Sequence, residues 1–364
     1  MLVLFMTILV FFIVLSVLVL AHEWGHFITA KRAGARVEEF GFGFPPRLFS
    51  YKKGETVFSF NLIPFGGFVK IFGETGDHKN ELGSFSSLNL LKRSKVVVAG
   101  VVMNILLAFL LLSFGNIIGR PAIIDATNEN IAQDISIGVL EVAKDSPAEK
   151  AGIVNQDKIL SAGLIGQAVQ IFSNVDEFQK FISKNSGQEI KLNLKRGQEN
   201  IAVSIIPRIN PPAGEGALGV ALARIGLIKT PWYLAFWEGA KDTIRMTGMI
   251  AVGLWLFFKT LFFEGNFLGD IAGPVGIAKL TGQAYQMGWA YLIQLTAVLS
   301  VNLAVLNILP FPALDGGRLL LLAVEKIKGS PLSQRLEQNI NVVGFGLLLL
   351  LMVVITWKDL ARLF

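Results

Sequence analysis

Long uncharged apolar blocks alternate along this chain with polar, basic segments. Residues 1–21 carry no charge, a second block covers 96–118, a third lies inside the uncharged stretch 280–314, and a fourth runs from about 339 to 357. Each reaches the ~20 residues needed to cross the hydrocarbon core of a bilayer. The first block has the place of a secretory signal, but it lacks a basic start and its apolar run is too long, so it reads as a spanning helix. A shorter block, 246–258, is bounded by Arg245 and Lys259. Runs of that length are more often interfacial or re-entrant than spanning. The pattern predicts a polytopic α-helical membrane protein with four transmembrane helices.

Between the second and third blocks the pattern changes. Residues 121–208 alternate short apolar runs with turn residues, as a small α+β domain does. Strands are expected over 135–142, 189–195 and 200–206. A short helix over 146–152 has Pro147 at its start and Gly152 at its end, and a second over 175–184 is capped by Asn174. Pro211-Pro212-Ala213-Gly214 reads as a linker back to the membrane. Residues 229–263 mix Trp, Lys and apolar positions and predict amphipathic helices in the interface. The loop 38–72 is rich in Gly and Phe, and alternation over 56–62 predicts strands there. The expected division is 1–120 (two spans and a β-structured loop within about 31–95), 121–210 (the α+β domain), 211–282 (linker and interfacial helices) and 283–364 (two spans).

Charge orients these pieces. Residues 31–95 hold 11 Lys and Arg, the loop after the third block adds Arg318, Lys326, Lys328 and Arg335, and nothing basic precedes the first block. Positive residues stay on the cytoplasmic side. Residues 31–95 and 310–338 are therefore expected inside, and the N-terminus, the segment 120–280 and the C-terminus outside. The net charge of +6 over 364 residues suits anionic headgroups of the lipid bilayer better than nucleic acid. A hydrophobic share of 52% with 16% charged residues excludes a disordered, collagenous or coiled-coil chain. The absence of cysteine excludes disulfides, thiolate metal sites and cysteine nucleophiles.

The chain has three histidines, His22, His26 and His78. Two fall in His22-Glu23-Trp24-Gly25-His26, an H-E-x-x-H pattern. Residues four apart share one helix face, so both imidazoles can reach one tetrahedral zinc ion, with Glu23 left to move a proton. The motif sits at the inner end of a span, where ionisable residues are costly and mark function. A catalytic zinc wants three protein ligands and an open position. His78 lies in a polar loop without a helical partner. Asp315 fits better, as a lone carboxylate following 35 uncharged residues, in Asn307-Ile-Leu-Pro-Phe-Pro-Ala-Leu-Asp315-Gly-Gly. Pro310 and Pro312 break the helix, and such broken backbone at membrane depth lines buried or watery sites. The plainer alternative is a helix-ending loop whose Asp315 pairs with Arg318. A shared site also constrains topology: one crossing by 246–258 would put Asp315 on the wrong side, so that block is expected to lie along the membrane or re-enter it.

With His22-Glu23-Trp24-Gly25-His26, Asn307 and Leu314-Asp315-Gly316 in place, the chain resembles the site-2 protease family of intramembrane zinc metalloproteases, and most of all its bacterial RseP-type branch. Ile63-Pro64-Phe65-Gly66-Gly67-Phe68-Val69-Lys70 and Ala272-Gly273-Pro274-Val275-Gly276-Ile277-Ala278 add to the likeness. The resemblance implies that His22, His26 and Asp315 bind Zn2+, that Glu23 is the general base, and that Asn302 and Asn307 hold substrate. The plain reading of the two asparagines is packing between helices. It also implies that the α+β domain is a single, circularly permuted PDZ domain, where some relatives carry two. Its peptide-binding loop would fall near Ser136-Ile137-Gly138-Val139. The loop 38–72 would form a β-structure dipping toward the active site. Arg318 stands where many relatives have His.

The implied function is regulated intramembrane proteolysis in a bacterial inner membrane. Substrates would be single-pass transmembrane proteins already cut on the outer side, such as anti-sigma factors or remnant signal peptides. The PDZ domain would bind a peptide or exclude bulky proteins. The rival reading is a non-catalytic zinc-containing PDZ adaptor, but a structural zinc is usually closed by four protein ligands and three are found. A zinc transporter would carry more intramembrane acids and histidines.

Overall fold

The computed structural model describes residues 2–74, 78, 81–263, 272–330 and 332–361. It divides into two compact units, one of residues 1–113, 236–282 and 293–364, the other of residues 114–235 and 283–292.

The first unit is built on apolar helices. α1 (Leu2–Ala33) is followed by a hairpin of β1 (Val37–Lys53) and β2 (Thr56–Ile71), then by α2 (Leu90–Ile118). α1 and α2 are apolar on all sides, as helices in lipid are. The hairpin closes through a two-residue turn at Gly54-Glu55, between the paired Lys53 and Thr56, with Gly54 at φ +62°. Such turns call for positive φ, which glycine adopts without strain. Trp24 and Phe27 of α1 meet Phe40 and Phe58 of the hairpin at ring separations of 5.4–5.8 Å. Buried Phe27, Val37, Ile71 and Val96 make this contact a core.

The other unit carries a six-stranded sheet. Its elements are β3 (Arg120–Ile123), β4 (Ala132–Val142), α3 (Pro147–Lys150), β5 (Lys158–Leu164), α4 (Val175–Lys184), β6 (Ile190–Arg196), β7 (Glu199–Ile205) and β8 (Val220–Ile228). The strand order is β3-β8-β4-β5-β6-β7. The expected helix over 175–184 is present, and Asn174 caps it by accepting from the Glu177 amide at 2.8 Å. Phe178, Ile137, Ile190, Leu192 and Leu194 are fully buried at the centre.

Two expectations are corrected here. The α+β domain does not close at residue 210, because β8 enters the sheet between β3 and β4. The proline pair at 211–212 is thus a loop within the domain. Residues 136–139 do not form an open loop, since they lie in β4 with β5 on one side and β8 on the other. β3 pairs with β8 only over Ile225–Ile228, so Val220–Ala223 of β8 lack a β3 partner, and β7 forms the opposite edge of the sheet.

The chain continues through α5 (Trp232–Phe263), α6 (Pro274–Met287), α7 (Trp289–Asn307), α8 (Asp315–Lys328) and α9 (Gln334–Ala361). Among the described residues, α1, α2, α7 and α9 are long and apolar enough to cross a membrane, matching the four expected blocks. The 246–258 block is not separate. It lies inside α5, one continuous helix of 32 residues, where amphipathic pieces were expected. Met246, Ile250 and Leu254 face the α2–α7 core of Ala108, Leu112, Ala297 and Val301. The 272–278 motif wraps a carboxylate: the Gly273 and Gly276 amides donate to Asp359 of α9 at 3.2 and 2.8 Å. An anion at a helix N-terminus is favoured by the free amides there.

Phe178→Ala is expected to remove about 3–5 kcal/mol from the sheet domain by leaving a cavity. Amide hydrogen exchange on the full chain should show lost protection in β5 and β6, with the membrane helices unchanged; full protection in both strands would contradict this.

Candidate metal centre and its cavity

His22 and His26 stand one turn apart near the end of α1, with ring centroids 4.7 Å apart in an edge-on arrangement. Their Nε2 atoms are 3.1 Å apart. Asp315 Oδ2 lies 3.2 Å from His22 Nε2 and 3.4 Å from His26 Nε2. The structure therefore joins the three residues singled out as metal ligands. Asp315 does not pair with Arg318, whose guanidinium meets Glu74 instead. Oδ2 of Asp315 is buried and makes no aligned hydrogen bond.

The glycines around this cluster are there because backbone or rings occupy the space of a side chain. A Cβ on Gly100 of α2 would stand 2.4 Å from His26 Nε2 and 2.6 Å from His22 Cε1. One on Gly25 would stand 2.3 Å from the Ala99 carbonyl oxygen. α1 and α2 can meet this closely only without side chains at those points. Asp315 is the first residue of α8, delivered by the break after α7. Cβ atoms on Gly316 and Gly317 would fall 2.1 Å from the Leu309 oxygen and 2.2 Å from the Phe311 oxygen. Ala313, at φ +70°, turns the chain there, and its amide donates to Asn341 Oδ1 at 3.3 Å.

A cavity of about 280 Å³ opens onto the cluster, lined by Glu23, Asn307, Glu74 and Arg318 among others. Glu23 lies under β2, where Gly67 would place a Cβ 3.5 Å from Glu23 Cγ. Asn307 Nδ2 approaches His22 Nε2 at 3.5 Å. Asn302 does not line the cavity; five residues earlier on α7, it points about 140° away around the helix. His78 pairs with Glu81 at 2.6 Å and does not line the cavity either. The Glu74 carboxylate raises Arg318 above its ordinary value. Behind them, Arg93 of α2 and Glu325 of α8 form a buried pair at 2.7 Å.

The donor set fits a metal ion. Ligands at the 2.0–2.1 Å of zinc–nitrogen and zinc–oxygen bonds stand about 3.3 Å apart on a tetrahedron. The observed separations are 3.1, 3.2 and 3.4 Å. His26 Nδ1 lies 2.9 Å from the Val96 carbonyl oxygen. A carbonyl only accepts, so the His26 proton sits on Nδ1 and its Nε2 lone pair faces the cluster. The ligand triangle and the Glu23 carboxylate thus line one cavity, an arrangement that suits metal-assisted hydrolysis.

Sequence reasoning missed the α2 side of the site: Val96, Gly100 and Asn104. A polar Asn104 inside an apolar span was the available signal.

The profile of peptidase family M50 matches residues 10–351. A Clostridium perfringens protein whose name carries the words zinc metalloprotease is 35% identical over 346 residues, covering 95% of this chain and 96% of the relative. The zinc metalloprotease RasP of Oceanobacillus iheyensis is 30% identical over 442 aligned positions, covering 98% and 99%. The regulator of sigma-W protease RasP of Bacillus subtilis is 28% identical over 444 positions, covering 98% and 99%.

Gly100→Ala is expected to drive both imidazoles from their places and to strip the centre of metal. Metal content of the purified variant tests this; retention at the wild-type stoichiometry would contradict it.

Proposed function

The chain belongs to peptidase family M50, and on that premise we propose an intramembrane zinc endopeptidase with His22, His26 and Asp315 as metal ligands and Glu23 as general base. The observation that carries the reading is the triangle of ligand atoms 3.1–3.4 Å apart among apolar helices, with Glu23 in the same cavity. Bound zinc supplies Lewis acidity, which polarises a carbonyl and makes water acidic near neutral pH. Glu23 takes the proton of the attacking water and delivers it to the departing amine. Asn307, lining the cavity, is suited to donate to a substrate carbonyl or a developing oxyanion. Asn302 is assigned to packing of α7.

A helical substrate hides its carbonyls in its own hydrogen bonds, so it must unwind at the cavity. The β1–β2 hairpin offers an edge beside Glu23 on which an extended segment can pair. The substrate class is a single-pass transmembrane protein already trimmed on its outer side. The printed name of the Bacillus subtilis relative, a regulator of sigma-W protease, supports anti-sigma factors among such substrates, and remnant signal peptides share the same form.

The topology follows from the site. His22 and His26 lie near the C-terminal end of α1 and Asp315 follows the end of α7, so both helices run the same way across the membrane. α2, which starts beside the end of α1 at Ala33 and passes His26 at Val96, runs back. Residues 119–288 then contribute an even number of crossings, so α5 alone does not cross once. Lys31, Arg32, Lys92, Arg93 and Lys95 cluster at the site's end of α1 and α2, which favours the cytoplasmic side of a bacterial inner membrane. The sheet domain is then extracytoplasmic. We assign it as a single PDZ-like domain in which the part of β8 not paired with β3 accepts a peptide, or whose bulk excludes uncut proteins.

Glu23→Gln is expected to lower cleavage of a pre-trimmed single-pass substrate in detergent by at least about 10²-fold, while zinc stays bound. Chelation should stop the wild type and added zinc restore it. Cleavage by Glu23→Gln at the wild-type rate would refute the assignment of the base.

A further inference from the structure

The two ring nitrogens of His22 face different surroundings. Nε2 faces His26, Asp315 and, at 3.5 Å, the Asn307 side-chain amide. Nδ1 faces α2, where Asn104 Nδ2 lies 3.4 Å away. A histidine that gives Nε2 to a metal keeps its proton on Nδ1, and that proton needs an acceptor. His26 has one in the Val96 carbonyl. His22 has no carbonyl or carboxylate among the hydrogen bonds to its Nδ1. It has the amide of Asn104.

Asn104 is fully buried, and its Oδ1 has no hydrogen-bond partner. Packing between helices does not account for this side chain. The bond that joins α2 to α7 here, from Ser300 Oγ at 2.8 Å, uses the Asn104 main-chain carbonyl. The side-chain amide is left with His22 alone. With Nδ2 toward the ring, the amide donates to Nδ1. That requires the proton on Nε2, and His22 then has no lone pair for a metal. A half-turn of the amide brings Oδ1 to the same place, accepts the Nδ1 proton, and frees the Nε2 lone pair. An asparagine amide presents both faces with little change of shape.

Resting on the zinc reading above, we propose that Asn104 is the positioning residue of His22: its amide oxygen accepts the Nδ1 proton and selects the tautomer that ligates through Nε2. Val96 and Asn104 are then equivalent supports, eight residues apart on α2, one for each histidine. Gly100 lies midway between them and leaves room for both rings. Three positions at four-residue spacing on one face of α2 thus shape the α1 half of the centre.

Zinc affinity of the full chain in detergent, measured by competition with a chromophoric chelator, tests this. Asn104→Leu is close in volume and removes the acceptor; it should weaken zinc binding about 10- to 100-fold. Asn104→Asp keeps an acceptor oxygen and should bind zinc at least as tightly as wild type. Ser300→Ala removes the α2–α7 bond without touching the amide and should bind as wild type. The metal-free Asn104→Leu protein should melt no lower than metal-free wild type, since it loses an unsatisfied buried group. Full zinc affinity in Asn104→Leu would overturn the proposal, and so would equal losses in Asn104→Leu and Asn104→Asp. A wild-type chain that holds no zinc would overturn the zinc reading itself, and this assignment with it.

Discussion

Three electron-rich atoms, two imidazole nitrogens and a carboxylate oxygen, are held within 3.4 Å of one another on the wall of one cavity. Groups of this kind do not gather by themselves, because burial removes their hydration and nothing between them donates a proton. The protein must hold them by rigid means. Two of the atoms come from one helix face, which costs nothing beyond forming the helix. The third comes from the far end of the chain and needs a helix that stops abruptly, a turn that carries the backbone sideways, and a new helix that starts on the ligand itself.

That requirement accounts for much of what surrounds the centre. Gly316 and Gly317 are without side chains because the turn folds back over the start of α8. Gly344 of α9 is likewise bare, because Pro312 of the turn would lie 2.3 Å from its Cβ. The buried Arg93–Glu325 pair fastens α8 to α2, the helix that also shapes the histidine side. Breaking such a pair would leave a largely buried charge uncompensated, so the pair resists separation of α2 from α8. Glu74, at the end of the hairpin, meets Arg318 across the same cavity, which ties the roof over Glu23 to the helix carrying Asp315.

How much of this could be read from the sequence depended on whether a residue contrasts with its neighbours. His22, Glu23 and His26 announce themselves as polar residues at helical spacing at the end of an apolar run. Asp315 stands out because 35 uncharged residues precede it. Gly100 and Asn104 are as close to the centre, yet small residues in a span are ordinary and a lone asparagine reads as packing. β8 was missed because a proline pair looks like the end of a domain, and because strand order is set by long-range pairing that no local pattern records. α5 was read as amphipathic pieces since Arg245 and Lys259 bound a short apolar block and Trp and Lys mix with apolar positions around it; packing of one face on α2 and α7 overrides them. The hairpin was legible from alternation, while its contact with α1 rests on aromatic faces whose partners the sequence does not specify.

The separation of the ligands along the chain sets a clock on assembly. His26 and Asp315 are nearly three hundred residues apart, and a ribosome adding about 5–20 residues per second needs roughly 15–60 seconds to travel between them. During that interval the first two helices are already in the lipid with a half-built centre. A lone pair of histidines can take up an ion only loosely, and a hydrolytic site does not yet exist. With His22, His26 and Asp315 as the proposed ligands, no complete centre forms until Asp315 and the helix it starts have been made and docked, so a product that stops short of them is inert by construction.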